Sequence, residues 1–246
     1  MYQFFVNPDQ IKETTITILG NDVNHIKNVL RMKIGEEVKI SNGIDQKEYR
    51  CGIEEILEDS IRCSLRFVKQ DELELSSKIY LFQGLPKADK MEFIIQKAVE
   101  LGVYEIIPVA TKRAVVKLDE KKATSKVLRW QNIAEAAAKQ SKRGIVPTVS
   151  NVMSLNEALI YGKEMEIKLI PYELAEGMEV TKDIFNTLQP GQRIAIFIGP
   201  EGGFSEEEIS LATYYGLIPI TLGKRILRTE TAGLTVLAWI MYQLEK

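Results

Sequence analysis

The stretch from Arg193 to Leu244, RIAIFIGPEGGFSEEEISLATYYGLIPITLGKRILRTETAGLTVLAWIMYQL, decides the fold. It opens with an unbroken apolar run, Ile194 to Ile198, short enough for a strand buried on both faces. GPEGG follows, Gly199 to Gly203; three glycines and a proline in five residues exclude a regular element and let backbone pass close to a ligand. Ser205 with Glu208 is a capping box, so the spacing predicts a helix to about Tyr215, ended by Gly216. A second apolar run, Leu217 to Leu222, reads as the next strand. Gly223 opens the loop GKRILRTE, and a last helix is expected from about Glu230 to Leu244. Two loops that follow two parallel strands lie at one edge of the sheet, where open α/β folds bind ligands. The ligand is therefore sought between GPEGG and GKRILRTETA. The charges argue against phosphate: Glu201 sits in the loop, and Glu206, Glu207 and Glu208 fill the first helical turn, where they already satisfy the helix dipole. Neither GxGxxG nor GxxxxGK[ST] occurs. The alternative is a well-capped tight turn with no ligand.

Working outward, 246 residues leave room for one large domain or two modest ones. The hydrophobic fraction of 45% and charged fraction of 27% are those of a globular chain. No apolar run approaches the roughly 20 residues of a membrane span, and MYQFFVNPDQ lacks the pattern of a secretory signal. Cys51 and Cys63 make no metal-ligand pattern, and two thiols in this length suit a reducing cytosol. His25 is the sole histidine, which excludes multi-histidine metal sites and leaves Ser-His-Asp chemistry no other base. A net charge of −2 hides an asymmetry: residues 73–150 carry 14 basic and 8 acidic side chains, whereas residues 1–72 carry 10 and 13 and residues 151–246 carry 8 and 13. Lys112, Arg113, Lys117, Lys121, Lys122, Lys126, Arg129, Lys139, Lys142 and Arg143 make a basic stripe, expected as a polyanion surface or as a solvated helix face.

Residues 1–72 read as mostly β. Alternating runs at Thr15–Leu19, Glu37–Ser41, Tyr49–Ile56 and Ile61–Phe67 are separated by turn signals, with one helix from Asp22 to about Leu30 that leads to Arg31. Short strands with one helix predict a small barrel. DELELSS, Asp71 to Ser77, is the expected linker to a domain over residues 73–246. There the pattern becomes strand and helix in alternation: a strand at Ile79–Gln83, a helix at Ala88–Leu101, a strand at Tyr104–Ala110, and an alanine-rich helix at Thr124–Ser141 with its basic ends exposed. A short helix at Ser154–Tyr161 and a strand at Glu166–Ile170 follow. That strand ends in Pro171-Tyr172-Glu173, a further loop at the ligand edge, and a polar excursion then runs to Gly191.

HIKNVLRMKIGEEV, KADKMEFIIQKAVELGVYEIIPV, AEAAAKQSKR, IGPEGGFSEEE and LGKRILRTETA occur in one order and spacing over essentially the whole chain. In these motifs the sequence resembles bacterial small-subunit ribosomal RNA uridine-N3 methyltransferases of the SPOUT, or trefoil-knot, superfamily. The resemblance implies a PUA-like β-barrel for RNA, then a knotted α/β parallel-sheet domain that binds S-adenosylmethionine. It also implies a cytoplasmic homodimer acting on ribosomal RNA or the assembled small subunit, with no membrane and no metal. Residue by residue, Ile198, Gly199, Pro200, Glu201, Gly202 and Gly203 match the first cofactor loop. Leu222, Gly223, Ile226, Leu227 and Arg228 match the second, and Pro171, Tyr172 and Glu173 fall at the position of the third. RNA contacts are expected from Arg31, Lys112, Arg113, Lys139, Lys142 and Arg143. One departure is Ala114, where the family pattern has serine.

The chemistry fits the residues. A sulfonium cofactor carries no phosphate, so acidic residues around GPEGG are no obstacle, and Ile226 and Leu227 offer apolar surface to an adenine ring. Methylating uridine N3 requires removal of the N3 proton while negative charge spreads onto O2 and O4. Arg228 is the candidate to stabilise that charge and Glu230 to accept the proton; the plainer roles are a salt bridge for Arg228 and a helix N-terminal charge for Glu230. Two rival functions stay open on sequence: methylation of a ribose 2′-hydroxyl, and RNA binding without catalysis. The last helix, apolar nearly all round, is expected at the dimer interface.

Overall fold

The computed structural model describes residues 1–70, 73–175 and 177–245, and the chain divides into two compact units. The first comprises Met1–Glu74 with Ala138–Val146, and the second comprises Leu75–Ala137 with the chain from Pro147 onward. Asp71 and Glu72, at the start of the expected linker, lie outside the described residues.

In the first unit, β1 (Tyr2–Phe5), β2 (Thr15–Leu19), β3 (Glu37–Ser41), β4 (Lys47–Ile56) and β5 (Ser60–Gln70) form one sheet in the order β1-β3-β4-β5-β2. β1 runs parallel to β3, and the other pairs are antiparallel. β1 was not anticipated, because YQFF has no alternation and its partner, β3, is remote in sequence. Alternation does hold in β2, whose Ile16 and Ile18 are fully buried. The register of β4 against β5 shifts twice, at Arg50/Cys51 and Ile53/Glu55. Each such bulge bends the strand and increases its twist, which curls the sheet around a core of Phe4, Ile16, Val38, Ile40, Ile53 and Ile61. The expected helix is an α-helical turn, α1 (Asn21–Asn24), continued as a π-helical turn over His25–Val29. Leu30 closes that wider turn by donating to the His25 carbonyl at 2.8 Å.

The segment Ala138–Val146 is stitched to this sheet by polar contacts. Gln3 Nε2 donates to the Arg143 carbonyl at 2.7 Å, and Ser41 Oγ donates to that of Gly144 at 2.8 Å. Arg143 corrects the expectation of an exposed basic end. Its side chain is 6% exposed and meets the equally buried Glu74 carboxylate at 2.5 Å. Glu74 also accepts the amides of Gly144 and Ile145 at 3.1 and 3.2 Å. A buried guanidinium paired this way is committed, since breaking such a pair costs about 3–5 kcal/mol. Arg143 therefore belongs to the core of the unit and is withdrawn as an RNA contact. Lys139 is half-buried and pairs with Asp22 at 3.0 Å.

The second unit is built on β6 (Lys78–Gly84), β7 (Glu105–Ala110), β8 (Thr148–Val149), β9 (Met153–Ser154), β10 (Ile167–Pro171), β11 (Arg193–Ile198) and β12 (Ile218–Ile220). The order is β12-β10-β11-β6-β7-β8, with β9 also on β7, and every pair is parallel. The helices are α2 (Lys90–Glu100), α3 (Glu120–Gln140), α4 (Leu155–Gly162), α5 (Met178–Asn186), α6 (Glu206–Tyr214) and α7 (Thr229–Leu244). α5 occupies the stretch read as a polar excursion. Side-chain parity sorts the layers. Tyr80, Phe82, Ile107, Val109, Ala195 and Phe197 point to the face covered by α4 and α6, where Phe82 and Phe197 stack at 4.1 Å. Leu81, Gln83 and Ile198 point the other way, toward α7; a Cβ on Gly233 of α7 would lie 3.5–3.7 Å from all three. Helices on both faces explain why these strands are apolar runs without alternation.

Candidate functional site

All the strands of the parallel sheet end at one edge, so the segments after β6, β7, β10, β11 and β12 gather there. A cavity of about 530 Å³ opens among three of them, within the range of small-molecule sites. Its lining includes Pro171, Tyr172 and Glu173, the run Ile198 to Phe204, and the run Thr221 to Thr229, with Lys90 and Ala232 from α2 and α7. Every residue expected to hold a cofactor, Ile198, Gly199, Pro200, Glu201, Gly202, Gly203, Leu222, Gly223, Ile226, Leu227 and Arg228 included, is therefore brought to one cavity.

The GPEGG turn is held from three sides. Gly203 donates its amide to the Pro200 carbonyl at 2.9 Å and has φ +64°, the left-handed region that favours glycine. The end of β6 presses on the turn: a Cβ at Gly84 would sit 2.7 Å from the nitrogen of Pro200. From the end of β7, Arg113 Nη1 donates to the Gly202 carbonyl at 3.0 Å, and the Lys112 amide donates to Glu208 at 2.7 Å. A side chain at Gly202 would also crowd Arg113, whose Cβ would lie 3.1 Å from an added Cβ. The open directions in the cavity belong to Gly203, with nothing within 4 Å of an added Cβ, and to Gly223, with Met178 at 3.6 Å.

The carboxylates also act within the loop. Glu201 accepts the Lys87 amide at 3.1 Å and the Lys90 ammonium at 2.9 Å. Burial pushes the Glu201 carboxyl up, but Lys90, its own amide and that of Lys87 outweigh this and hold it below its ordinary value. Glu208 caps α6 by accepting from Ser205 N at 2.8 Å, completing the capping box read from sequence. Glu201 and Glu208 are thus turned onto the chain's own amides, and Glu201 onto Lys90, so part of their charge is taken up within the protein. The lining carries Lys90, Lys224, Arg225 and Arg228 against Glu173 and Glu201.

Thr229 links the two principal loops and was not singled out by sequence. It is buried, donates to the Gly199 carbonyl at 2.6 Å and accepts from Gln83 Nε2 at 2.9 Å. Gln83 is fully buried at the end of β6 and also donates to the Gly84 carbonyl at 3.0 Å. Arg228 and Glu230 flank this anchor. Arg228 is exposed at the cavity, whereas Glu230 is not in the lining. The Oε2 atom of Glu230 is buried without a hydrogen bond and lies 3.6 Å from Lys90 Nζ. Lys90, the second residue missed, carries no sequence signal, since only the fold places it between the two glutamates.

The residues expected to contact RNA do not form one group. Arg31 is exposed in the first unit with φ +54°, and Lys142 is exposed with φ +62°. Lys112 and Arg113 are exposed and dock on the glycine loop. Among the described residues no cluster of His, Cys, Asp and Glu forms a metal site, and no helix is long and apolar enough to cross a membrane.

A family model for an RNA methyltransferase domain matches residues 73–241, and one for an RNA methyltransferase PUA domain matches residues 18–66. The Bacillus subtilis protein named ribosomal RNA small subunit methyltransferase E is 39% identical over 251 residues, covering 100% of this chain and 98% of its own. The Mesomycoplasma hyopneumoniae protein of the same name is 34% identical, with 96% and 97% covered. Among solved structures, a Neisseria gonorrhoeae ribosomal RNA small subunit methyltransferase E bound to S-adenosylmethionine matches with TM-score 0.83 and 32% identity, covering 97% of this chain and 95% of that one. A Legionella pneumophila protein in complex with S-adenosylmethionine matches with TM-score 0.86 and 32% identity, covering 98% and 96%.

Proposed function

The chain belongs to the family of small-subunit ribosomal RNA methyltransferases, and from that premise we propose that it binds S-adenosylmethionine and methylates N3 of a uridine in small-subunit (16S) ribosomal RNA. The observation that carries the reading is the convergence of residues 171–173, 198–203, 222–223 and 226–228 on one cavity of about 530 Å³ at the C-terminal edge of a parallel sheet. The residues present fit the cofactor. Gly203 and Gly223 leave open space where a side chain would stand, and the lining mixes backbone amides with apolar Ile198, Leu222, Ile226 and Leu227. Bound there, S-adenosylmethionine supplies a methyl group activated by its sulfonium.

The chain's own residues handle the target base. Arg228, exposed at the cavity and bracketed by the Thr229 anchor, places a guanidinium against the O2 and O4 oxygens as N3 loses its proton. Glu230 is the candidate to take that proton; its Oε2 has no hydrogen bond but is buried behind the cavity lining, so its side chain must turn toward the base to act. Lys90, 3.6 Å away, keeps a positive charge beside that carboxylate.

The same reading covers organisation. The first unit, the exposed cations Arg31, Lys112, Arg113 and Lys142, and the half-buried Lys139 serve RNA. The segment 221–228 leaves the edge strand β12, and α7 packs back over β11 and β6; the threaded, knotted path is what the family implies. We assign the protein to the cytoplasm as a homodimer through α7. Part of α7 is covered within the chain, since Trp239 meets Phe185 of α5 edge-on at 5.5 Å. Leu234, Ala238 and Met241 remain half-buried and Tyr242 is 85% exposed, and these are left for the second subunit. Calorimetric titration with S-adenosylmethionine tests the cofactor assignment: saturable one-to-one binding supports it, and no heat at millimolar ligand defeats it.

A further inference from the structure

The cations of this chain fall into two groups by what they already touch. In the basic middle stretch most are engaged. Lys112 pairs with Glu207, Lys122 with Asp119, Arg129 with Glu92, Lys139 with Asp22 and Arg143 with Glu74, while Arg113 holds the Gly202 carbonyl. Pairs as exposed as Lys112 with Glu207 contribute little and can exchange. The loop between β12 and α7 differs. Lys224, Arg225 and Arg228 all line the cavity and all are exposed, and among the described residues none of these three side chains has a hydrogen bond or an ion pair.

We propose that Lys224 and Arg225 form a docking site for RNA backbone phosphates beside the target nucleotide, at the mouth of the cofactor cavity. The proposal rests on the reading that RNA is the substrate, and it names where that substrate is gripped.

Three like charges within five residues repel one another and leave a positive potential at the cavity mouth, which an anion relieves. The carboxylates of the lining do not supply it. Glu201 is taken by Lys90 and the Lys87 amide, and Glu173 has no ion pair among the described residues. Next to these cations in the chain, Ile226 is 87% exposed. An exposed apolar side chain beside two cations offers surface to an unstacked base whose backbone phosphate they hold. The geometry also separates roles within one loop. Lys224 and Arg225 reach for backbone and carry no base information, whereas Arg228, next to the Thr229 anchor, is held at the site of chemistry.

The test is the double variant Lys224→Ala/Arg225→Ala in the full-length protein. Its readouts are S-adenosylmethionine affinity by calorimetry, affinity for an in vitro transcript of small-subunit ribosomal RNA across a salt series, and steady-state methylation. Loss of two phosphate contacts should flatten the slope of log affinity against log salt by about 1.4, at roughly 0.7 per contact on a single strand. The KM for RNA should rise at least about tenfold, with cofactor affinity and the rate at saturating RNA within about threefold of the parent. The exchanged variant Lys224→Arg/Arg225→Lys should recover the slope. An unchanged salt slope and RNA KM would overturn the proposal, and so would a fall in cofactor affinity that accounts for the whole loss. Should the parent bind the transcript without methylating it, the functional reading fails while the binding isotherms still decide this site.

Discussion

Replacing Thr229 by valine removes one oxygen and keeps the shape, which makes it the sharpest probe of how the two cofactor loops are joined. In the structure the hydroxyl bonds both Gly199, in the first loop, and Gln83, beneath it, at 2.6 and 2.9 Å. Valine leaves the Gly199 carbonyl without that donor and one Gln83 Nε2–H without its acceptor; Gln83 keeps its bond to the Gly84 carbonyl. A buried polar group left unpaired costs about 1–3 kcal/mol, so two of them predict a loss of about 2–6 kcal/mol in unfolding free energy. The added methyl group recovers little, because Thr229 is already 5% exposed. Since Gly199 sits in the cavity wall, cofactor affinity should fall at least about tenfold, or about 1.4 kcal/mol. Urea denaturation and calorimetric titration measure the two effects on one preparation. A destabilisation under about 0.5 kcal/mol together with unaltered cofactor affinity would refute the idea that this hydroxyl couples the loops.

Ala88→Gly should stabilise the protein by about 0.5–1 kcal/mol, because alanine in the left-handed region pays a steric cost that glycine avoids; Ala88 has φ +54°, and a drop in melting temperature would show that its methyl group matters more. Glu201→Gln should flatten the acid limb of the stability curve. A carboxyl held below its ordinary value of 4.5 adds stability that is present above that pH and is lost as pH falls through the folded value. Parallel acid limbs for parent and variant would count against that pairing with Lys90. Light scattering at micromolar concentration should give twice the chain mass, and Met241→Glu with Tyr242→Glu should return a monomer; a monomeric parent ends the assignment of α7 to an interface.

How much of this was legible in the chain depends on how local each cause is. GPEGG and the Ser205–Glu208 capping box were readable because glycine, proline and capping residues act within a few positions. The buried strands β6 and β11 were readable as apolar runs for the same reason. The state of Arg143 was not, because its partner Glu74 lies 69 residues away and a basic helix end looks alike whether buried or free. α5 was missed because MEVTKDIFN buries just Thr181 and Phe185, too few positions for a periodic signal. The carboxylates of the glycine loop were read as charge facing a ligand, whereas Glu201 and Glu208 accept backbone amides from the ends of β6 and β7. Composition gives the number of charges in a loop; only the fold gives their direction. Ala114 is 9% exposed, so a serine hydroxyl there would itself be nearly buried, and its replacement removes a group needing a partner.

The central claim is the atom that receives the methyl group. Small-subunit ribosomal RNA from cells lacking this protein should be incubated, as naked RNA and as assembled subunits, with the purified protein and S-adenosylmethionine, digested to nucleosides and resolved by mass spectrometry against standards. The expected product is N3-methyluridine, absent without the protein and lost when Arg228 or Glu230 is replaced. A 2′-O-methylated nucleoside, or no new methylated nucleoside on either substrate, would contradict it.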